Sequence, residues 1–466
     1  MLKNHTGIYT DHYELTMAQG YYLSGIHLKE ATFDYFFRTN PYSGGFVVFA
    51  GLRDLLELLD EFHYSEDDCR YLEYLGFDKN FIEYLRSFRF TGSVFSVNEG
   101  ETVFPNEPVM RLQGNILELQ LIETLLLNIL NFESLVATRA ARIRLVAGKR
   151  MLVDFGLRRA HSMGGIHASR AAIIGGFDKT SNVYCAMKYG LKSTGTMAHS
   201  WVQAFGDEYE AFRRFSEIFP DNCTLLADTY DTLKSGIPNA IKVGLEMKNN
   251  GRHLFAVRLD SGDLSYLAKK ARKQLDEAGL TDVKIFLSNQ LDEDVIQSLN
   301  EQHTPADGFG VGTSLVTGSP DASLDGVYKL SSFDRQPTLK ISDNISKMTL
   351  PGIKNLVRFI DKEGNFYADG ILLLHEKNLN TIYDAVHPAR KSPVSTFKKE
   401  FLLSCVMDHG KIVAPEMNPY EIALYVHERL AQLPSEHKRF VNPHLYKVGI
   451  SRDLLDLRNK LAGIKA

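Results

Sequence analysis

Between residues 151 and 330 the chain repeats one pattern: a short apolar run ends in a polar turn, often containing Gly or Asp, and an amphipathic stretch usually follows. The turns read DFGLRR (154 to 159), GTMAHSW (195 to 201), ADTYD (227 to 231), VRLDSGD (257 to 263), FLSNQ (286 to 290) and GFGVGTS (308 to 314). The apolar runs near 151, 192, 224, 253, 283, 307 and 326 mostly recur at the length of one βα unit. That spacing predicts a parallel β/α barrel, whose strand ends gather residues distant in sequence at one rim. An open doubly wound sheet explains the same alternation. One helical face is predicted through Trp201, Phe205, Tyr209, Phe212, Phe215 and Phe219, another through Leu264, Leu267, Ala268, Ala271 and Leu275.

The flanks follow other periods. Residues 11 to 88 read mainly as helices with one strand at ATFDYFFR (31 to 38), and 90 to 112 alternates apolar and polar residues as antiparallel strands do. The most apolar segment, 116 to 136, is interrupted by Glu118, Gln120, Glu123, Asn128, Asn131 and Glu133, which predicts a buried helix rather than a membrane span. Beyond 330, breaks at 331 to 337 and 387 to 393 divide a region of mixed strand and helix. The reading is an N-terminal α/β domain over 1–135, a β/α barrel core over 136–335 and a C-terminal region over 336–466 that completes both.

Composition narrows the function classes. With 24% charged residues and a net charge of -4, the chain carries no excess of basic charge suited to a polyanion. Four cysteines stand far apart without CxxC or metal-type spacing, which argues against a disulfide framework and a zinc site and for a reducing compartment. The first residues lack the apolar stretch of a signal peptide, so a cytoplasmic protein is expected.

Candidate chemistry lies in the turns. Gly308, Gly310 and Gly312, with Thr313 and Ser314, close an apolar run where late barrel loops bind phosphate, although close-set glycines also occur in plain turns. Two basic stretches support an anion: Lys329, Arg335, Lys340, Lys347, Lys354 and Arg358, and Arg139, Arg142, Arg144, Lys149, Arg150, Arg158 and Arg159. Solvated faces produce such runs too, and no aromatic residues interleave with them as a nucleic-acid platform requires. Phe155 can stack on a flat heterocycle and Arg158 can clamp a carboxylate, or they are a core ring and a surface ion pair. Asp260 at a strand end suits magnesium, whereas Asp263 equally suits a helix cap. His199 can act as nucleophile or base, or be structural.

Taken together, TDHYELTMAQGY (10 to 21), FFRTNP (36 to 41), DFGLRRAHS (154 to 162), GGFDKTSNV (175 to 183), GTMAHSW, VRLDSGD, GFGVGTS and GVYKL (326 to 330) closely resemble nicotinate phosphoribosyltransferase, over most of the chain and in the expected order. The resemblance implies an irregular parallel (β/α) barrel of the type II phosphoribosyltransferase kind. It implies transfer of phosphoribose from phosphoribosyl pyrophosphate to nicotinate in NAD salvage, giving nicotinate mononucleotide and pyrophosphate, with ATP as co-substrate and His199 as phosphohistidine. The active site would be shared across a homodimer, Tyr13 facing Phe155 from the other subunit. Arg158, Ser200 and Arg258 would line the nicotinate pocket. Gly310, Gly312 and Thr313 would hold the ribose 5-phosphate. Asp178 is similar to a position that contacts the base amide in the related nicotinamide enzyme.

The chemistry adds two expectations. Departing pyrophosphate needs a cation cluster, for which Lys340 is the phosphate contact and Asp260 the ribose or Mg2+ contact. Three rivals remain: nicotinamide phosphoribosyltransferase; quinolinate phosphoribosyltransferase, which has no use for ATP or His199; and a non-catalytic barrel that binds phosphorylated ligands. No membrane or nucleic-acid partner is expected.

Overall fold

A computed structural model describes residues 5–341 and 348–463, which leaves Lys347 of the first basic stretch outside the described residues. The chain forms two compact units, one from residues 1–135, 323–417 and 424–466, the other from 136–322 and 418–423.

The second unit is built on short parallel strands: β1 (Met151–Asp154), β2 (Lys179–Thr180), β3 (Thr224–Leu226), β4 (Ala256–Leu259), β5 (Lys284–Ser288) and β6 (Gly308–Val311). Their order is β2-β1-β6-β5-β4-β3, all neighbours parallel. Successive side chains leave opposite faces of a strand. Leu152, Val153, Leu225, Val257, Ile285, Leu287 and Phe309 are buried, so both faces are covered, which is why these strands read as continuous apolar runs. A helix follows each strand, the longest being Ile237–Asn249 and Leu264–Glu277. The result is an irregular β/α barrel that stays open between β2 and β3 among the described residues.

Two expectations change here, and the cap reading of Asp263 holds. The run near 192 contributes only one parallel bridge, Ser193 to Thr180. The aromatic face from Trp201 to Phe219 belongs to two helices, His199–Phe205 and Glu208–Ile218, because Gly206 turns left-handed (φ 68°) and Asp207 caps the second through the N–H of Glu210. Asp263 is a helix cap, accepting from the N–H of Tyr266.

The run near 326 is not a barrel strand. Gly326–Phe333 pairs antiparallel with Glu30–Phe37 in the first unit, from Ala31 opposite Phe333 to Phe37 opposite Gly326. Phe33 and Tyr328 stack across that pair with centroids 4.5 Å apart, a cross-strand contact that favours this register. The first unit holds this sheet, continued through Met110–Asn115, Ser93–Ser96 and Ser404–Asp408, and a second, mainly antiparallel sheet centred on Lys354–Ile360 and Phe366–Leu373. Helices His12–Leu23, Leu52–Asp60, Glu66–Tyr74 and Lys79–Arg86 accompany them.

The expected buried segment forms helices Ile116–Leu121 and Glu123–Ala147. No helix among the described residues is long and apolar enough to cross a membrane.

Four cations of the basic stretches are turned inward, while Lys149, Arg158, Arg159, Arg335 and Lys340 are exposed. Arg139 and Arg142 pair with buried Glu293 at 2.7 and 2.8 Å, Lys354 with Asp34 at 2.8 Å, and Arg358 with Glu101 and Asp369, both at 2.6 Å. Among the described residues these cations balance internal carboxylates rather than present a phosphate-binding face.

Candidate active site

In the second unit, β1 places Met151 and Val153 towards a cavity of about 60 Å³, and Phe155 extends the same face past the strand end. Asp154, on the opposite face, is fully buried and accepts hydrogen bonds from Ser169 Oγ (2.7 Å), Thr180 Oγ1 (2.7 Å) and the N–H of Gly156 (2.8 Å). Burial raises its pKa, and the three donors oppose that shift. The bonds tie the DFG turn to the Gly164–Ile174 helix and to β2, so the position of Phe155 is set by the backbone around it.

Arg258 from β4 lies with its guanidinium carbon 5.0 Å from the Phe155 ring centroid. Its Nε donates to Ser288 Oγ (2.9 Å), its Nη1 to Thr196 Oγ1 (3.2 Å), and its Nη2 stands 3.1 Å from Asp260 Oδ1. Ser288 in turn donates to Asp260 Oδ1 at 2.5 Å. The two strand ends therefore hold one another: β4 supplies cation and carboxylate, and β5 the hydroxyl between them. Gly310 of β6 allows the ring's approach, since a Cβ there would lie 2.4 Å from Phe155. Gly312 passes beside the Phe155 carbonyl, ahead of Thr313, which opens the short helix Thr313–Thr317.

The loop after β3 completes the arrangement. His199 Nδ1 lies 3.1 Å from Thr229 Oγ1. Adjacent Asp228 accepts at Oδ2 from the N–H of Asp260 (3.1 Å) and from Ser261 Oγ (2.5 Å), while its buried Oδ1 has no partner. An unsatisfied buried carboxylate oxygen beside Asp260 is of the ligand type that a hard cation such as magnesium takes.

Of the residues singled out in the sequence, the structure links Phe155, Arg258, Asp260, Gly310 and Gly312 directly, and His199 through the β3 loop. Ser200 and Thr313 are exposed beside them, and Arg158 is exposed in the turn Leu157–Arg159, outside the cavity lining. Asp178 does not face the cavity. It accepts from the N–H of Leu152 (2.7 Å) and from Arg144 Nη2 (2.6 Å), on the outward face of the sheet. Tyr13 lies in the helix His12–Leu23 of the first unit, where burial and Glu123 raise its hydroxyl pKa. Lys340 also belongs to the first unit and is exposed.

Sequence reasoning passed over Thr196, Asp228, Thr229, Ser288 and Lys179. The first four sit inside turns the apolar pattern had marked, so their position after a strand was the available signal. Lys179 gave none, because a strand of two residues shows no period.

Known proteins share this plan. Residues 8–131 match the nicotinate phosphoribosyltransferase N-terminal domain, 151–377 the nicotinate phosphoribosyltransferase family and 353–458 its C-terminal domain. The chain is 42% identical to the nicotinate phosphoribosyltransferase of Bacillus subtilis, over 96% of this chain and 93% of that protein, and 34% identical to that of Caenorhabditis elegans, over 97% and 92%. The crystal structure of human nicotinic acid phosphoribosyltransferase superposes with a TM-score of 0.87 at 31% identity, covering 97% of this chain and 99% of that one. That of nicotinate-nucleotide pyrophosphorylase from Pyrococcus furiosus gives 0.73 at 26% identity, covering 92% and 95%. Matches that run almost the full length of both partners, together with the strand-end cluster of Phe155, Arg258 and Asp260, place the chain in the nicotinate phosphoribosyltransferase family.

Proposed function

We propose that this chain transfers the phosphoribosyl group of phosphoribosyl pyrophosphate to nicotinate, releasing pyrophosphate, as a homodimer in the cytoplasm. The observation that carries the reading is the Phe155–Arg258 pair over the barrel cavity, with Asp260 and Ser288 holding the guanidinium. An aromatic face and an oriented guanidinium suit a flat pyridine carboxylate. Gly312 and Thr313 bring main-chain N–H groups to a neighbouring strand end, where the ribose 5-phosphate is proposed to bind.

Transfer develops positive charge at the ribose carbon as pyrophosphate leaves, and Asp260 is the carboxylate proposed to stand near it. Asp260 and Asp228 would hold Mg2+, which when bound neutralises the pyrophosphate. Lys340 is proposed as a further phosphate contact and Tyr13 as the ring contributed by the second subunit. ATP is proposed to phosphorylate His199, whose new charge and acceptor oxygens would order the adjoining Asp228–Asp231 loop for the sugar substrate.

Incubating the purified chain with nicotinate, phosphoribosyl pyrophosphate and Mg2+ is expected to yield nicotinate mononucleotide, faster with ATP. Absence of product in both conditions would refute the reading. His199→Asn is expected to abolish the ATP stimulation together with an acid-labile phosphate on the protein. Full stimulation in that variant would remove the phosphohistidine while leaving the transfer in place.

A further inference from the structure

We infer that Lys179 is the residue that selects an aromatic acid over its neutral amide, which rests on the transfer reaction proposed above. Strand β2 runs parallel to β1 with Lys179 beside Val153 and Thr180 beside Asp154. Neighbours in register share a face. Val153 lines the cavity, while Thr180 and Asp154 hydrogen-bond on the other side. Lys179 therefore faces inward, half-buried, and is itself part of the cavity wall.

The charge balance of that wall is uneven. Lys179 and Arg258 are its charged members among the described residues, and no carboxylate lines it. Arg258 is already matched: Asp260 stands 3.1 Å from Nη2, and Ser288 and Thr196 take Nε and Nη1. A guanidinium whose charge is offset by Asp260 discriminates less between a carboxylate and an amide oxygen than an unpaired cation does. Lys179 supplies the unmatched positive charge. With Met151, Val153, Phe155 and Phe286 around the same cavity, that charge acts in a medium less polar than water and favours a ligand carrying one negative charge.

The test compares wild type with Lys179→Met and Lys179→Arg. Two ratios are read: relative kcat/KM for nicotinate against nicotinamide, and calorimetric affinity for benzoate against benzamide. Lys179→Met is expected to lose about tenfold to a hundredfold of the acid preference, the range of one charge-assisted pair, and Lys179→Arg to retain most of it. An unchanged ratio in Lys179→Met, or an equal loss for acid and amide accompanied by a lower melting temperature, would overturn the inference. So would a wild type that binds benzoate no better than benzamide. If wild type turns over neither pyridine, the proposed reaction fails but the benzoate ratio still decides the role of Lys179. Should Lys179→Met not fold, Lys179→Gln removes the same charge.

Discussion

At the scale of single residues, the site depends on what is missing at Gly310 as much as on what is present at Arg258. A methyl group at 310 would meet the Phe155 ring at 2.4 Å, closer than real Cβ contacts come, so the ring must move. Overpacking of this kind costs about 1 to 3 kcal/mol. Here the displacement falls on the ring proposed to stack on the substrate. Gly310→Ala is expected to raise KM for the pyridine substrate at least about tenfold, read from steady-state kinetics. An unchanged KM with a lowered melting temperature would show that the ring is structural and not a substrate contact.

At the scale of elements, the strand-turn-helix pattern was legible, and its errors came from local punctuation. Trp201 to Phe219 carries helical spacing throughout, yet Gly206 ends one helix and Asp207 starts the next. A Cβ at Gly206 would touch nothing within 4 Å, so a substitution there reports backbone strain alone. Gly206→Ala is expected to cost about 1 kcal/mol at φ 68°, read as a shift in denaturant midpoint. No shift would mean that the break is set by Asp207 rather than by the glycine.

At the scale of the whole molecule, the first unit is assembled from three separate lengths of chain, and a buried charge cluster joins them. Arg358 reaches Glu101 and Asp369, and Arg429 reaches Glu101 at 2.8 Å. Arg358→Met leaves Asp369 without its cation and Glu101 with Arg429 alone, and is expected to cost about 3 to 5 kcal/mol, measured by chemical unfolding. A loss below about 1 kcal/mol would show that the cluster relaxes or takes up water. Glu107 stands in the same cluster, and burial and the neighbouring Asp369 carboxylate push its pKa well above the ordinary carboxylate range. The folded state then binds a proton that the unfolded chain releases. Stability from Glu107 is complete at acid pH, below the unfolded pKa, and falls as pH rises towards the folded one. Glu107→Gln cannot ionise, so its melting temperature is expected to fall less steeply with rising pH than that of wild type; parallel slopes would contradict this.

The sequence by itself determined the parallel strands near 151, 224, 253, 283 and 307 and the polar turns at their ends. Strands covered on both faces must be apolar throughout, and rim residues must follow them directly. It also placed Phe155, Arg258, Asp260 and His199 in such turns. Only the tertiary structure decided which way charges and short strands face. Arg358 and Arg142 look like surface cations until Glu101 and Glu293 arrive from distant segments. Lys179 and Thr180 are indistinguishable in a two-residue strand until the register with Val153 and Asp154 assigns one to each face. Charge and period are local properties, whereas the partner that buries a charge and the neighbour that sets a register are contributed by the rest of the chain.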